Sequence, residues 1–545
     1  MSGLIHNAWG GKNIQPTKPA KNIKKTKNAK KKDAPWQSTL DDDFIATILS
    51  QSYIGKKGYT IPKSCLTPKI LDSIYEELHA KPFIAMNCGG PANQNNGFYC
   101  YRENEKKIYI PRFYGINTFG IPAKCELVDG PEPIDVPFTK NLRDYQEKIV
   151  DTYITHCNTE QGNGGILEVP CGRGKTIMAL NIISRMKTKT LVIVHKEFLM
   201  NQWIERIEDF LPSAKVGKIQ GPVFDVEGKD IVIGMLQTLY IKDFHKSTFD
   251  CFGLTIVDEV HRIGSEQFSK ALFKAVTKYM LGISATVERK DRLTHVLYMF
   301  IGPKIYHEER EKDDIVKVRA MHYKTNDTEF NEVELDYKGN PKYSTMISKL
   351  CSFGPRSDFI VGVVRDLICE YPEKQIMILG HNRNLLTYLH DSITHKSFAS
   401  CGYYLGGMKQ KDLQETETKQ IVIATYAMAA EALDIKTLST LVMVTPKTDI
   451  TQSIGRILRV KNNNPIVVDI VDAHTNFINQ WSQRKKFYKK NGYLINSISS
   501  DNYIDMVSSK WKCVYDPCES NGTDKAKDDD DDEEGMYGGK CMIQW

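Results

Sequence analysis

Short, near-continuous apolar runs recur through the middle of this chain, with helical stretches between them. GILEV, TLVIVH, DIVIGM, LTIVD and YMLGIS form a first series, and QIMILG, QIVIAT, TLVMVT and PIVVDI form a second. A strand that is apolar at almost every position has no face to offer to water, so it belongs in a parallel sheet covered by helices on both sides. Two series separated by a charged, irregular stretch predict two such sheets in tandem, over residues 139–305 and 355–480. With 545 residues the chain is too long for one hydrophobic core, which agrees with several domains.

The rest of the chain is arranged around these two. Residues 41–138 mix short helical and strand-like patterns, and EKKIYIPRFYGINTFGIPAKCEL within them reads as β-rich, so an N-terminal accessory α+β domain is expected. Residues 306–354 read as an irregular linker or insertion, and 481–545 as a helix rich in lysine and aromatic residues followed by a tail.

Charge is placed unevenly. The formal net charge is only +6, yet nine lysines lie between Lys12 and Lys32, and Asp528 to Glu534 is an unbroken acidic run. Both ends have too few apolar residues to offset the entropy of ordering, so 1–40 reads as a basic disordered tail and the C-terminal end as an acidic one. A solvated tail is the simplest reading of each; nucleic-acid contact or nuclear targeting is the alternative for the basic one. No apolar run approaches the roughly 18 residues of a membrane span, and no membrane partner is expected. The 13 cysteines have no regular spacing, which suits a reducing compartment. Cys513, Cys518 and Cys541 lack the paired spacing of zinc ligands.

The stretch VPCGRGKTIMAL follows the first apolar run and opens a helix. Such a turn aims backbone N–H groups and a helix dipole at an anion. Gly172 and Gly174 let the backbone approach polyphosphate, Lys175 would reach the β/γ-phosphates, and the Thr176 hydroxyl would bind Mg²⁺. The strict pattern begins with glycine, and here that place holds Val169. A glycine-rich turn with an exposed lysine is the bland alternative. About 80 residues on, LTIVDEVHRIG places Asp258 and Glu259 at the end of another strand. An aspartate there can hold Mg²⁺, and the adjacent glutamate can orient and deprotonate water. Together the two signals predict an enzyme that hydrolyses a nucleoside triphosphate with Mg²⁺; the resemblance below makes the nucleotide ATP.

From these motifs the chain resembles a superfamily 2 helicase with a DExH box, over about 140–475. The resemblance implies two tandem RecA-like domains, the first binding ATP and the second closing on it. In LRDYQ it makes Gln146 the adenine reader, and it includes Arg173 among the cofactor-binding residues. LVIVHKEFLMNQW matches the next family segment, ending in Gln202 and Trp203. IGMLQTL resembles a strand-contacting segment, giving Gln237 and Thr238, and Thr425 in IVIATYAMAAEALDI falls at a phosphate-contact position. In the same segment Glu431 and Asp434 fall near the γ-phosphate or its metal, and Ala432 replaces the usual glycine. Ser284 and Thr286 of the SAT motif, with His261 and Gln452, couple nucleotide state to nucleic-acid grip.

QSIGRILR is similar to the sixth family motif. Gln452, Arg456 and Arg459 share one helix face, which alone would suit a surface salt-bridge patch. The resemblance makes Arg456 and Arg459 arginine fingers donated across the cleft. LGISATVERKDRLTHVLYMFIGPKIYHEE is similar to XPB-type DNA translocases, with Arg289-Lys290-Asp291 where those carry Arg-Glu-Asp. The chain also resembles the transcript-release helicases of large nucleocytoplasmic DNA viruses, the poxvirus type among them. This implies an ATP-driven DNA translocase in viral transcription, with DNA as partner, viral RNA polymerase and transcription factors nearby, and the virion and host cytoplasm as its location. An RNA helicase, a DNA-repair translocase and a non-catalytic nucleic-acid scaffold are the alternatives.

Overall fold

In the computed structural model the described residues are 40–83, 97–128, 131–159, 162–170, 172–245, 247–262, 266–289, 291–308, 315–337, 339–431, 435, 437–458 and 464–518. Both charged tails lie outside them. Among the described residues no helix is long and apolar enough to cross a membrane.

The N-terminal domain has a five-stranded sheet and a two-stranded ribbon. Its strands are β1 (Tyr53–Gly55), β2 (Gly58–Pro62), β3 (His79–Ala80), β4 (Phe98–Tyr99), β5 (Arg102–Glu103), β6 (Lys107–Ile110) and β7 (Lys124–Cys125). The sheet runs β5-β6-β2-β1-β7, and β3 pairs with β4. This domain shares a continuous core with the one that follows, in which Ile61 and Phe113 pack with Ile166 and Ile301. Buried Arg112 locks the two together by donating to the carbonyls of Thr277 (3.0 Å), Lys278 (2.7 Å) and Asn163 (3.1 Å).

The first lobe carries β8 (Gly164–Glu168), β9 (Thr190–Val194), β10 (Val216–Gln220), β11 (Val223–Phe224), β12 (Ile231–Met235), β13 (Leu254–Asp258), β14 (Tyr279–Ser284) and β15 (Lys304–His307). Their order is β11-β10-β12-β9-β13-β14-β8-β15, parallel apart from β11. The second lobe carries β16 (Lys317–Tyr323), β17 (Gln375–Gly380), β18 (Cys401–Tyr404), β19 (Ile421–Thr425), β20 (Leu438–Met443), β21 (Ile466–Asp472), β22 (Leu494–Ser499) and β23 (Lys512–Tyr515). Their order is β18-β19-β17-β20-β21-β16-β22-β23, parallel apart from β23. The central strands are buried at nearly every position, as their unbroken apolar runs require. This is the predicted α/β architecture of two RecA-like domains.

The second sheet corrects the expected boundaries. Residues 317–323, expected in an irregular linker, form β16 between β21 and β22, and β22 and β23 come from the region expected to hold only a helix and tail. KVRAMHY hides its strand character because Lys317, Arg319 and His322 interrupt the apolar run. Arg319 is tolerated there because it pairs with Glu370, with one guanidinium N–H to Oε1 at 2.7 Å.

Candidate nucleotide site

The expected phosphate loop joins β8 to the helix Lys175–Met186. Gly172 and Gly174 have φ of 83° and 80°, left-handed values open to glycine. A Cβ on Gly174 would lie 2.4 Å from Gln146 Nε2, so a side chain there would drive the glutamine away. Val169 is fully buried, and its N–H donates to the Ser284 carbonyl at 2.9 Å, extending the β8–β14 ladder. The departure from a leading glycine therefore lies in the core. Gln146 accepts from the Arg143 N–H at 3.0 Å and donates to the Arg173 carbonyl at 3.0 Å. The Arg173 guanidinium lies 3.9 Å from the Tyr145 ring centroid and pairs with Glu308.

Asp258 ends β13 and is buried. Its Oδ2 accepts from Trp203 Nε1 at 2.9 Å and its Oδ1 from the Glu259 N–H at 2.9 Å. Glu259 has φ of 49°, a left-handed conformation that is strained for a non-glycine residue and turns its carboxylate back toward the loop. Glu259 Oε1 lies 4.0 Å from Lys175 Nζ, and Oε2 lies 3.2 Å from His261 Nδ1. That ring nitrogen is also 2.8 Å from Ser284 Oγ, which donates to the Thr286 carbonyl at 2.5 Å. Burial first, then the Glu259 charge, push the Asp258 carboxyl above its ordinary range. Burial acts on Glu259 in the same sense, but the Lys175 charge, the His261 contact and the Arg456 charge outweigh it and hold Glu259 below its ordinary range. One acid is thus easier to protonate and its neighbour harder, a separation typical of sites that do chemistry.

Arg456 reaches this cluster from the second lobe. It lies on the helix Thr451–Ile457, and its Nε donates to the Ala429 carbonyl at 2.8 Å. Its charge is the smallest of the named influences that lower Glu259, so the second lobe adds to the field at that carboxylate.

Residues 139–289 match the family described as type III restriction enzyme, res subunit. A protein of Acanthamoeba polyphaga mimivirus named "Putative ATP-dependent RNA helicase" is 34% identical over 452 residues, covering 81% of this chain and 86% of its own length. The chain belongs to the superfamily 2 helicases. A protein of African swine fever virus with the same descriptive name is 27% identical over 415 residues, covering 69% of this helicase and 77% of the viral protein. The DNA 3'-5' translocase XPB2 of Sulfurisphaera tokodaii is 25% identical over 381 residues, covering 61% of this helicase and 82% of the translocase. The helicase is accordingly a nucleic-acid-dependent ATPase.

Other expected positions of the helicase are spread over both lobes. Gln237 is exposed, and its Nε2 donates to the His195 carbonyl at 2.9 Å. Thr238 is buried, and its Oγ1 accepts from the Gly221 N–H at 3.0 Å. Its hydroxyl thus fixes the turn after β10. Thr425 ends β19, and its Oγ1 accepts from the Met428 N–H at 3.4 Å. Arg289 pairs with Asp291 and donates to the His261 carbonyl, tying the segment after the SAT motif to the DEVH box. Asp434, Arg459 and the side chains of Glu431 and Gln452 lie outside the described residues.

Three contacts escape sequence reading. Trp203 was legible as the end of a family segment, but its bond to Asp258 joins residues 55 positions apart. Tyr145 adds an O–H bond to the Arg173 carbonyl at 3.2 Å, and only its neighbour Gln146 carried a signal. Glu308 had none, since one of two adjacent glutamates in IYHEE looks like any solvated acid.

Proposed function

We propose that this helicase is a DNA translocase of a large DNA virus, acting in transcript release or termination, with Lys175, Asp258, Glu259 and Arg456 as its ATP-hydrolysing set. The observation that carries the site reading is the convergence on Glu259: Lys175 of the phosphate loop lies 4.0 Å away, and the second-lobe Arg456 acts on the same carboxylate. Gln146 reads the adenine, Gly172, Arg173 and Gly174 shape the loop, and Lys175 meets the β/γ-phosphates. Glu259, kept ionised by its cationic neighbours, takes the proton from the attacking water. Arg456, with Arg459, offsets charge as the γ-phosphoryl leaves.

Thr176 and Asp258 would hold Mg²⁺. Each Asp258 oxygen accepts one hydrogen bond and keeps a lone pair, and Mg²⁺ needs only one or two protein ligands beside phosphates and water. When bound, the ion neutralises charge on the β/γ-phosphate oxygens.

Coupling follows from connectivity. His261 touches both Glu259 and Ser284, so a change at the carboxylate reaches the SAT segment, while Arg456 makes lobe closure depend on the nucleotide. Gln237, Thr238 and Thr425 lie on the strand track, through direct or backbone contact with phosphates. The likeness to the Sulfurisphaera translocase and the DEVH box with its XPB-like flank support DNA. The descriptive name of the mimivirus relative supports RNA as the second reading. Relatives in large DNA viruses support a viral setting, with virion and host cytoplasm as location and the viral RNA polymerase and transcription factors as partners. ATP turnover measured separately with single-stranded DNA, duplex DNA and RNA tests the substrate. DNA is expected to stimulate most, and stimulation by RNA alone overturns the DNA reading. Lys175→Ala is expected to abolish turnover in a folded protein, and normal turnover overturns the site.

A further inference from the structure

We propose that Glu308 is a positioning residue that holds the phosphate loop in its binding shape through Arg173. The inference rests on the nucleotide-site reading above.

Glu308 directly follows β15, the edge strand of the first sheet beside β8. Its N–H donates to the Glu168 carbonyl at 3.0 Å, so its backbone is registered against the residue that ends β8, just ahead of the phosphate loop. From there its carboxylate reaches the Arg173 guanidinium. That guanidinium is held between Glu308 and the Tyr145 ring, 3.9 Å from the ring centroid. The carbonyl of the same residue accepts from Tyr145 Oη at 3.2 Å and Gln146 Nε2 at 3.0 Å. Arg173 is therefore gripped at both backbone and side chain, between two glycines in left-handed conformation. A Gly-Arg-Gly turn has little stiffness of its own. Its shape is imposed by these contacts, and Glu308 supplies the only charge among those named.

The Glu308 carboxylate differs from those of Asp469 and Asp472. Asp472 and Asp469 each use both oxygens on a buried arginine. The Glu308 side chain is 14% exposed, yet its Oε2 is buried and has no hydrogen-bond partner among the described residues. A buried carboxylate left half satisfied is a poor device for stability and marks a functional constraint. The constraint acts on nucleotide affinity: if the empty loop holds its competent shape only part of the time, apparent affinity falls by that fraction.

The test is equilibrium binding of Mg²⁺–ATP to the full chain, with KM and kcat measured on the same samples. Glu308→Gln is expected to weaken ATP binding by about tenfold, with the loss falling on KM more than on kcat. Glu308→Asp, which keeps the charge, recovers most of the affinity. The double variant Glu308→Gln, Arg173→Gln is expected to be no worse than either single change, because both act through one contact. A folded Glu308→Gln protein with unchanged ATP affinity, or a double variant whose losses add, overturns the proposal. If Glu308→Gln does not fold, Arg173→Gln alone supplies the reading, since its side chain is part exposed on a surface loop and fills no core, and unchanged affinity there overturns the proposal equally. Lys175→Ala separates the two levels. If it binds and turns over ATP normally the nucleotide site itself is misplaced, whereas loss in Lys175→Ala with no loss in Glu308→Gln defeats only the positioning role.

Discussion

The two lobes share one sheet architecture, yet the acids Asp258 and Glu259 at the end of β13 and the acids Asp469 and Asp472 of β21 are treated in opposite ways. In the second lobe, Asp472 takes two bonds from buried Arg356, at 2.5 and 2.8 Å, and the same guanidinium donates to the Val444 carbonyl at 2.9 Å. Asp469 takes two bonds from buried Arg484, at 2.7 and 2.9 Å, and a third from Tyr488 Oη at 3.0 Å. Arg484 also donates to the Lys447 carbonyl at 2.9 Å. These acids are satisfied, and their arginines grip the segment that leads into the helix bearing Arg456. In the first lobe, Glu259 meets Lys175 only at 4.0 Å, its backbone is strained, and Asp258 is pushed up while Glu259 is held down. The contrast separates a frame from a site: acids paired on both oxygens by buried arginines make the strand rigid, and the incomplete pairing of Glu259 leaves charge available to a ligand.

The strongest way to break this comparison is Glu259→Gln. If the first-lobe acid is chemical, hydrolysis falls by about 10³–10⁴-fold while Mg²⁺–ATP binding stays nearly unchanged, since the amide cannot take the proton. An equal fall in binding would make Glu259 a ligand. Arg456→Ala tests whether the second-lobe frame delivers a working group. Turnover is expected to fall about a thousandfold in single-turnover assays, with nucleotide affinity changed far less. Arg484→Met attacks the frame itself. Leaving Asp469 buried without its partner should cost about 3–5 kcal/mol, read as lost hydrogen-exchange protection in β20 and β21, with ATP affinity at the first lobe preserved. Protection unchanged in both strands would show that the pair does not carry the frame. The smallest expected effect is that of Trp203→Phe, which removes the donor to Asp258 Oδ2 and should cost about 1–3 kcal/mol, seen in exchange at β13. A similar loss throughout the first lobe would mark a packing defect instead of a local bond.

Much of this was legible in the sequence because its signals are local. The strands β8, β9, β13, β14, β17, β19, β20 and β21 coincide with apolar runs, and the phosphate loop and the DEVH box fall at strand ends as read. β16 was missed because a parallel strand with a partnered arginine mimics a charged linker. β22 and β23 were missed because their residues are only partly buried, so their runs are broken.

The sequence by itself determined the two parallel sheets and the residue types at their ends, since hydrophobic period and glycine conformation act over a few neighbouring positions. Only the tertiary structure decided which acids are satisfied. Asp258, Asp469 and Asp472 all end or lie within apolar strands and look alike in sequence. Whether each meets an indole or a buried arginine depends on helices from 15 to 116 residues away, and a charge in a low-dielectric interior takes its character from such neighbours as well as from its own segment.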